Sequence, residues 1–359
     1  MADVMNFFLG ANSGDGFQSL FRELEQAGTY DLMILKGGPG VGKSTFLRAV
    51  GAELEQAGER TEYLLCSGDP NSLDGVIFPD MGCAAADGTA PHAVEPRYPA
   101  AVDRIVDLGR FYDLTAAKAA REEIVALTEE CRAAHTRAQR CMKAARQAEL
   151  EALSPGARGF DADRAARRLE GVISRELPRH GGEAGQTRRR FLGGLTSGGY
   201  IWRFDSVEVL CPRVYELVDR WELAGPLLER LRAAAAERGW DTIACPAPEE
   251  PDRLEHLLIP SLGLAFVTSR PGMEYGKKPC RRVRLDALTT ARERGRERLL
   301  RRMAAALRDE AVEALRDAAA AHERLEAVYN PYVDFDGVRA LAALETGRLL
   351  SWRSRTHIG

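Results

Sequence analysis

Several things are missing from this chain, and each absence narrows what it can be. No apolar run approaches the roughly 18 residues that a membrane helix needs. The N-terminus, Met1-Ala2-Asp3-Val4, has neither the basic start nor the long apolar core of a secretory signal, and the seven cysteines form no CxxC pair. A reducing cytoplasm is therefore the expected compartment. An excess of one charge is also lacking: 50 Lys and Arg against 53 Asp and Glu leave a net charge of −3. That balance excludes a globally basic nucleic-acid binder and allows only a local patch. Lysine is scarce, supplying six of the 50 basic residues, so Lys36 and Lys43, seven residues apart, stand out. What is present is ample core material. Hydrophobic residues make up 45% of 359, enough at about 150 residues per domain for two domains or one large one.

The strongest local pattern is a short apolar run, Asp31–Leu35, followed by Gly37-Gly-Pro-Gly-Val-Gly42-Lys43-Ser44-Thr45 and then helix-like spacing to about Gly58. Strand, glycine loop and helix in this order form a phosphate cradle. Glycines let backbone N–H groups curl around phosphate oxygens while the helix directs its positive end at them. The backbone of Gly37, Gly38, Pro39, Gly40, Val41 and Gly42 would cradle the phosphates, with all of these but Pro39 offering an N–H. Lys43 would reach the β- and γ-phosphates, and Ser44 would hold Mg²⁺ through its hydroxyl, with Thr45 beside them.

Such a site usually draws a magnesium-holding carboxylate from the end of a neighbouring buried strand. Met81–Ala86 followed by Asp87 has that form. Gly88 stands where many ATPases place a water-orienting Glu, so that function must come from elsewhere. Asp69, Asp74 and His92 are the candidates, with Asp69 taken as the catalytic one. Asp69 and Asp74 follow the expected strand Thr61–Cys66, whose C-terminal end should open towards the glycine loop. The competing reading for both is Asx-turn chemistry in a loop, and for His92 simple exposure.

Sliding the chain against itself by 181 positions gives nine identities between Leu47 and Ala84 without a gap, including Gly58 with Gly239, Pro70 with Pro251 and Gly82 with Gly263. Chance would give about three, so duplication is the simpler account. Phe8-Leu9-Gly10 and Phe191-Leu192-Gly193 open the two copies. Each reads as strand, helix, strand, Pro-marked loop, strand and a fourth apolar stretch, Val102–Leu108 and Arg282–Leu285. In this register Leu223, Ala224, Gly225 and Pro226 replace Gly42, Lys43, Ser44 and Thr45, Val218 replaces Gly37, and Thr268 replaces Asp87. The second copy keeps the fold and loses the chemistry.

Each copy is followed by a long helix. Thr115–Leu153 lacks Pro and Gly and spaces Ala117, Ala120, Ile124, Leu127, Cys131, Ala134, Ala138, Cys141, Ala145 and Ala148 as a heptad-like seam. At 1.5 Å per residue this makes an arm of about 58 Å. Ser154-Pro155-Gly156 is expected to break it, with Asp161–Leu177 as a return helix. Thr290–Val328 is the second arm, with Leu300, Met303, Leu307, Leu315, Ala318 and Leu325 along one side, and the two arms are suited to pair. An arginine cluster from Arg281 to Arg302 reads as a solvated helix face, because acidic residues interleave and no aromatic pattern accompanies it.

With the loop Leu35–Thr45, the segments Ser67-Gly-Asp-Pro70-Asn-Ser-Leu-Asp74-Gly75-Val76 and Asp87-Gly-Thr-Ala-Pro-His92 carry a resemblance. The chain resembles a bacterial family of tandem P-loop ATPase-like proteins within the P-loop NTPase superfamily, most strongly over residues 6 to 112. It departs from that family's pattern in lacking a second P-loop. The resemblance implies binding of ATP with Mg²⁺ and its hydrolysis. The expectation is thus an α/β protein of two P-loop NTPase-like sheet units in tandem, each with a coiled-coil-like helical extension. Residues 1–112 form the nucleotide-binding unit, 113–185 a helical hairpin insertion, 186–288 the degenerate unit and 289–359 the C-terminal extension. Lys43, Asp87 and Asp69 are the catalytic candidates and Ser44 and Asp87 the metal ligands. A protein partner would dock on the arms; neither nucleic acid nor a membrane is expected. Phosphotransfer to an acceptor and a nucleotide-gated adaptor are the alternative activities.

Overall fold

The computed structural model describes residues 3–25 and 29–356; Met1 and Ala2 of the N-terminal reading lie outside them. The first unit comprises β1 (Val4–Phe7), a hairpin of β2 (Gly10–Ser13) and β3 (Gly16–Ser19), β4 (Asp31–Lys36), α1 (Lys43–Gln56), β5 (Thr61–Leu65), β6 (Leu73–Phe78), β7 (Cys83–Asp87) and β8 (Asp103–Asp107). A short α2 (Leu114–Ala117), the long α3 (Arg121–Arg158) and α4 (Ala162–Glu176) follow. The second unit repeats the plan: β9 (Thr187–Arg189), a hairpin of β10 (Gly193–Thr196) and β11 (Gly199–Trp202), α5 (Phe204–Leu210), β12 (Arg213–Val218), α6 (Gly225–Glu237), β13 (Thr242–Ala247), β14 (Glu250–Ile259), β15 (Leu264–Ser269) and β16 (Arg281–Arg284). The chain closes with α7 (Gly295–Tyr329) and α8 (Phe335–Thr356).

The two six-stranded sheets have one topology. Their orders, β1-β5-β6-β7-β4-β8 and β9-β13-β14-β15-β12-β16, match strand for strand. In each, a single strand, β6 or β14, runs against the other five. Equal order and equal sense are what a duplicated unit produces. The apolar run Leu32–Leu35 is buried, as a strand flanked on both edges by parallel neighbours demands. Because β6 is reversed, its first residues lie at the sheet edge where β4 and β7 end. The Pro-marked loop expected after the second strand is largely this strand. Its Asp74-Gly75 pair interrupts the apolar alternation of Leu73–Phe78, and Pro79 closes it.

One core joins the units. Phe7, Phe8, Leu35, Phe46 and Phe78 cluster with Phe191, Phe204 and Leu258, and Phe8 and Phe191 exchange backbone hydrogen bonds of 2.9 Å. Each such fully buried side chain contributes about 1.5–3 kcal/mol. A second core places Leu169 and Ile173 of α4 against Leu228 of α6 and Leu257 and Phe266 of the second sheet.

The arms pair with each other. α3 and α7 run antiparallel, with Arg137 against Asp317 at 2.6 Å, Arg324 against Glu130 and Arg308 against Glu149. Ala138 and Met142 meet Ala311, Ala314 and Leu315 between them. Several of the expected seam positions of α3, Leu127, Ala134, Ala138 and Ala145, are buried. On α7 the expected Leu315, Ala318 and Leu325 are buried, joined by Ala304, Ala311, Ala314 and Ala321, while Met303 is exposed. Two corrections concern the first arm. Helix α3 continues through Ser154-Pro155-Gly156 to Arg158, because Gly156 seats closely against the Trp221 side chain and that contact holds the last turn. The return helix exists, capped by Asp161 accepting from Arg164 N at 2.9 Å, but α4 packs on the second sheet. Residues 113–185 are therefore not a hairpin folded on itself; the partner of α3 is α7.

Candidate functional site

The glycine loop joins β4 to α1 at the edge where β4 and β7 end. Gly40 and Gly42 both lie in the left-handed region, with φ of 73° and 89°, which a side chain would oppose. Gly42 caps α1 without any side-chain hydrogen bond, so the first helical amides take no acceptor from the cap residue. Val41 is buried beneath the loop. Lys43 Nζ donates to Gly37 O at 2.8 Å and Gly38 O at 3.0 Å and lies 3.6 Å from the Asp87 carboxylate. Ser44 Oγ accepts from Leu73 N at 2.9 Å, which ties α1 to the start of β6. Thr45 is exposed.

Asp87 ends β7 opposite Leu35, and its Oδ1 accepts from Thr89 N at 2.8 Å and Thr89 Oγ1 at 2.6 Å. The pairing of Gly75 with Ala86 carries Asp74 to the position beside Asp87. His92 then closes the group. Its side chain is buried rather than exposed, with Nε2 3.4 Å from Asp74 Oδ1 and the ring 4.5 Å from that of Phe21 and 5.3 Å from that of Phe17. Burial alone would push the imidazole down, but the Asp74 hydrogen bond and the charges of Asp74 and Asp87 outweigh it and raise its pKa. Asp69 is not brought into this group. It is exposed, its carboxylate accepting from Asn71 N at 3.0 Å in an Asx turn, the competing reading of that position.

Two further residues explain how the loop after β7 is held. Lys36 Nζ donates to Gly88 O at 2.8 Å, Val94 O at 2.9 Å and Glu95 at 2.6 Å. A Cβ on Gly88 would stand 2.3 Å from Ile34 Cγ2, so close packing requires glycine there. The C-terminal arm also reaches the site. Tyr112 donates to Pro39 O at 2.6 Å and contacts the Tyr329 ring, while the Glu326 backbone lies 3.1–3.2 Å from where a Gly40 Cβ would be. The His322 hydrogen bond holds the Glu326 carboxyl below its ordinary range, with smaller help from the Gly40 amide and Lys43. Nearly 300 residues of chain separate Gly40 from Glu326, and no local pattern signals that contact.

The matching edge of the second unit is filled. Leu217 opposes Thr268 as Leu35 opposes Asp87, so the true register of the loop is one residue beyond that read from the sequence: Asp219, not Val218, stands at Gly37. By the same register Gly225 and Pro226 take the places of Lys43 and Ser44, and Glu222 takes that of Gly40, with a left-handed φ of 55°. Asp219 turns its carboxylate onto the loop's own amides, accepting from Leu223 N at 2.7 Å and Ala224 N at 2.8 Å. Around it, Arg146 meets Glu222 at 3.0 Å and Arg270 meets Glu255 at 2.5 Å, with Arg253 3.5 Å from Glu255.

No family model matches the chain, and no curated protein or solved structure matches it either. Among the described residues, no three His, Cys, Asp or Glu side chains form a group able to hold a metal ion, and no helix is long and apolar enough to cross a membrane.

Proposed function

We propose that the first unit binds a nucleoside triphosphate, ATP, with Mg²⁺ at the glycine loop and hydrolyses it, while the second unit is structural. The observation that carries this reading is the convergence at one sheet edge of a left-handed glycine loop, an uncapped helix start and Lys43 beside Asp87. In this reading the loop amides receive phosphate oxygens, and Lys43 exchanges its bonds to Gly37 O and Gly38 O for the β- and γ-phosphates. A hydroxyl and a carboxylate are hard oxygen donors of the kind magnesium takes, and an ion completed by phosphate and water needs no more than one or two carboxylates. Ser44 and Asp87 would hold it, and it would supply charge neutralisation on the phosphates. The test is Mg-ATP binding and hydrolysis by the wild-type chain beside Lys43→Ala. A loss of at least tenfold is expected, about 1.4 kcal/mol, from removing a charge-assisted contact. Equal uptake by both proteins would end the proposal.

The seat of Glu326 against Gly40 favours a second reading, a nucleotide-gated adaptor. A triphosphate in the loop brings several negative charges towards that carboxylate, which would lift the arm end. Cross-linking between α7 and the loop should then fall on adding Mg-ATP; unchanged cross-linking excludes the gate.

A further inference from the structure

The nucleotide reading leaves the proton of the attacking group without an acceptor, since Gly88 is fixed as glycine by its packing on Ile34. We propose that His92, oriented by Asp74, is that acceptor: the general base for the water or hydroxyl that attacks the terminal phosphate. The proposal rests on the nucleotide reading above and deepens it.

Three observations carry it. First, the pair is built, not incidental. His92 and Asp74 are 8% and 6% exposed, come from different elements, and meet at 3.4 Å through Nε2 and Oδ1. Second, that bond spends one nitrogen and leaves the other. His92 Nδ1 is buried and has no hydrogen-bond partner, which is costly unless some other group completes it. With Nε2–H donated to Asp74, Nδ1 carries the lone pair, the same division of labour as in a carboxylate-oriented catalytic histidine. Third, the place is right. Asp74 stands beside Asp87 on the reversed strand β6, next to the residue that bonds Ser44, and the charges that face His92 are Asp74 from β6, Asp87 from β7 and Lys43 from α1. Phe17 and Phe21 pack against the ring at 5.3 Å and 4.5 Å, which restricts its rotation. In the proposed step a water O–H bond breaks, its proton passes to Nδ1, and its oxygen forms the bond to the γ-phosphorus. The bond from that phosphorus to the bridging oxygen breaks, and ADP leaves with the electron pair.

The experiment measures Mg-ATP affinity and single-turnover hydrolysis for the wild-type chain, His92→Gln and Asp74→Asn, with thermal melting as a check on folding. General-base removal predicts a rate loss of about 100-fold or more with affinity held within about threefold. Asp74→Asn should show the same split at smaller size, since it disturbs orientation and tautomer only. Imidazole added to His92→Gly should restore part of the lost rate in proportion to its unprotonated fraction, a dependence that cavity filling does not give. Undiminished turnover in His92→Gln overturns the proposal, as does a parallel fall of affinity and rate in both variants. Failure of the wild-type chain to bind Mg-ATP would instead remove the underlying nucleotide reading, and the base with it.

Discussion

At the edge where β4 passes into α1, the first unit sets Lys43 among two aspartates and a histidine. At the matching edge between β12 and α6, the second unit has packed arginines and glutamates into a closed network. The backbone plan is the same in both, down to a left-handed residue at Gly40 and at Glu222. The strand order does not dictate which it becomes. A sheet edge of this kind gathers helix amides and strand-end side chains, and the side chains decide whether those groups face outward chemistry or each other. Aromatic cover recurs as well. Phe17 and Phe21 enclose His92, and Trp202 and Phe204 enclose His256, yet the two imidazoles are driven in opposite directions.

The sharpest way to break this comparison is Arg270→Met. Arg270 is the closest partner of Glu255, whose side chain is fully buried, so the substitution leaves an interior carboxylate with only the longer Arg253 contact of 3.5 Å among arginines. A loss of about 3–5 kcal/mol is expected in urea unfolding. Adding Glu255→Met should recover much of it, because a buried pair replaced whole by apolar groups is nearly neutral. Thr89→Val at the matching position of the first unit loses only the hydroxyl bond to Asp87 and should cost about 1 kcal/mol. Equal costs at the two positions would show that the second edge is no tighter than the first.

The histidines give the next effect. Burial, aided by the charges of Arg270 and Arg253 and opposed by Glu255, pushes His256 from 6.5 down to about 4. A depressed folded pKa means that its contribution is complete above the unfolded value and is lost as pH falls from 6.5 towards 4. The loss is on the order of 2–3 kcal/mol, and His256→Gln should flatten that acid limb of the melting profile. His92 is raised, so its contribution is complete below 6.5 and fades as pH climbs through its folded value. His92→Gln should therefore remove an alkaline limb and leave the acid one. Acid limbs that are identical in the two variants would erase the contrast.

How much of this was legible in the sequence depends on how far apart the cooperating residues lie. The glycine loop announces itself because its amides, Lys43 and Ser44 are consecutive, and Asp87 follows from the rule that strand ends supply carboxylates. The duplication was legible through gapless identities, yet the one-residue shift at Asp219 falls outside them and needed the pairing of Leu217 with Thr268. Asp69 and Asp74 were indistinguishable as residues in a presumed loop. Only the reversed strand β6 separates them, sending Asp74 inward to His92 and leaving Asp69 in its turn. Pro155 misled because local propensity ends a helix there, whereas the Trp221 contact on Gly156 carries it on.

The smallest expected effect tests how the second loop was closed. Asp219 does for its own amides what a bound anion would do, one oxygen to Leu223 N and the other to Ala224 N. Burial works against that charge and raises the carboxyl from 3.8 to about 6, even with both amides pulling it down. A raised folded pKa places its favourable contribution at low pH, and that contribution is lost as pH rises through 6. Asp219→Asn keeps one acceptor and turns an NH₂ towards the other amide, a cost of about 1 kcal/mol. It also removes the buried charge, so the penalty relative to the wild-type chain should be full at about pH 3.5, below the ordinary 3.8, and should be lost by about pH 7.5. Urea midpoints at the two pH values decide it. A cost that is the same at both would mean that the amides, and not burial, govern this carboxylate, and that the second loop is held closed by the same force that the first would apply to phosphate.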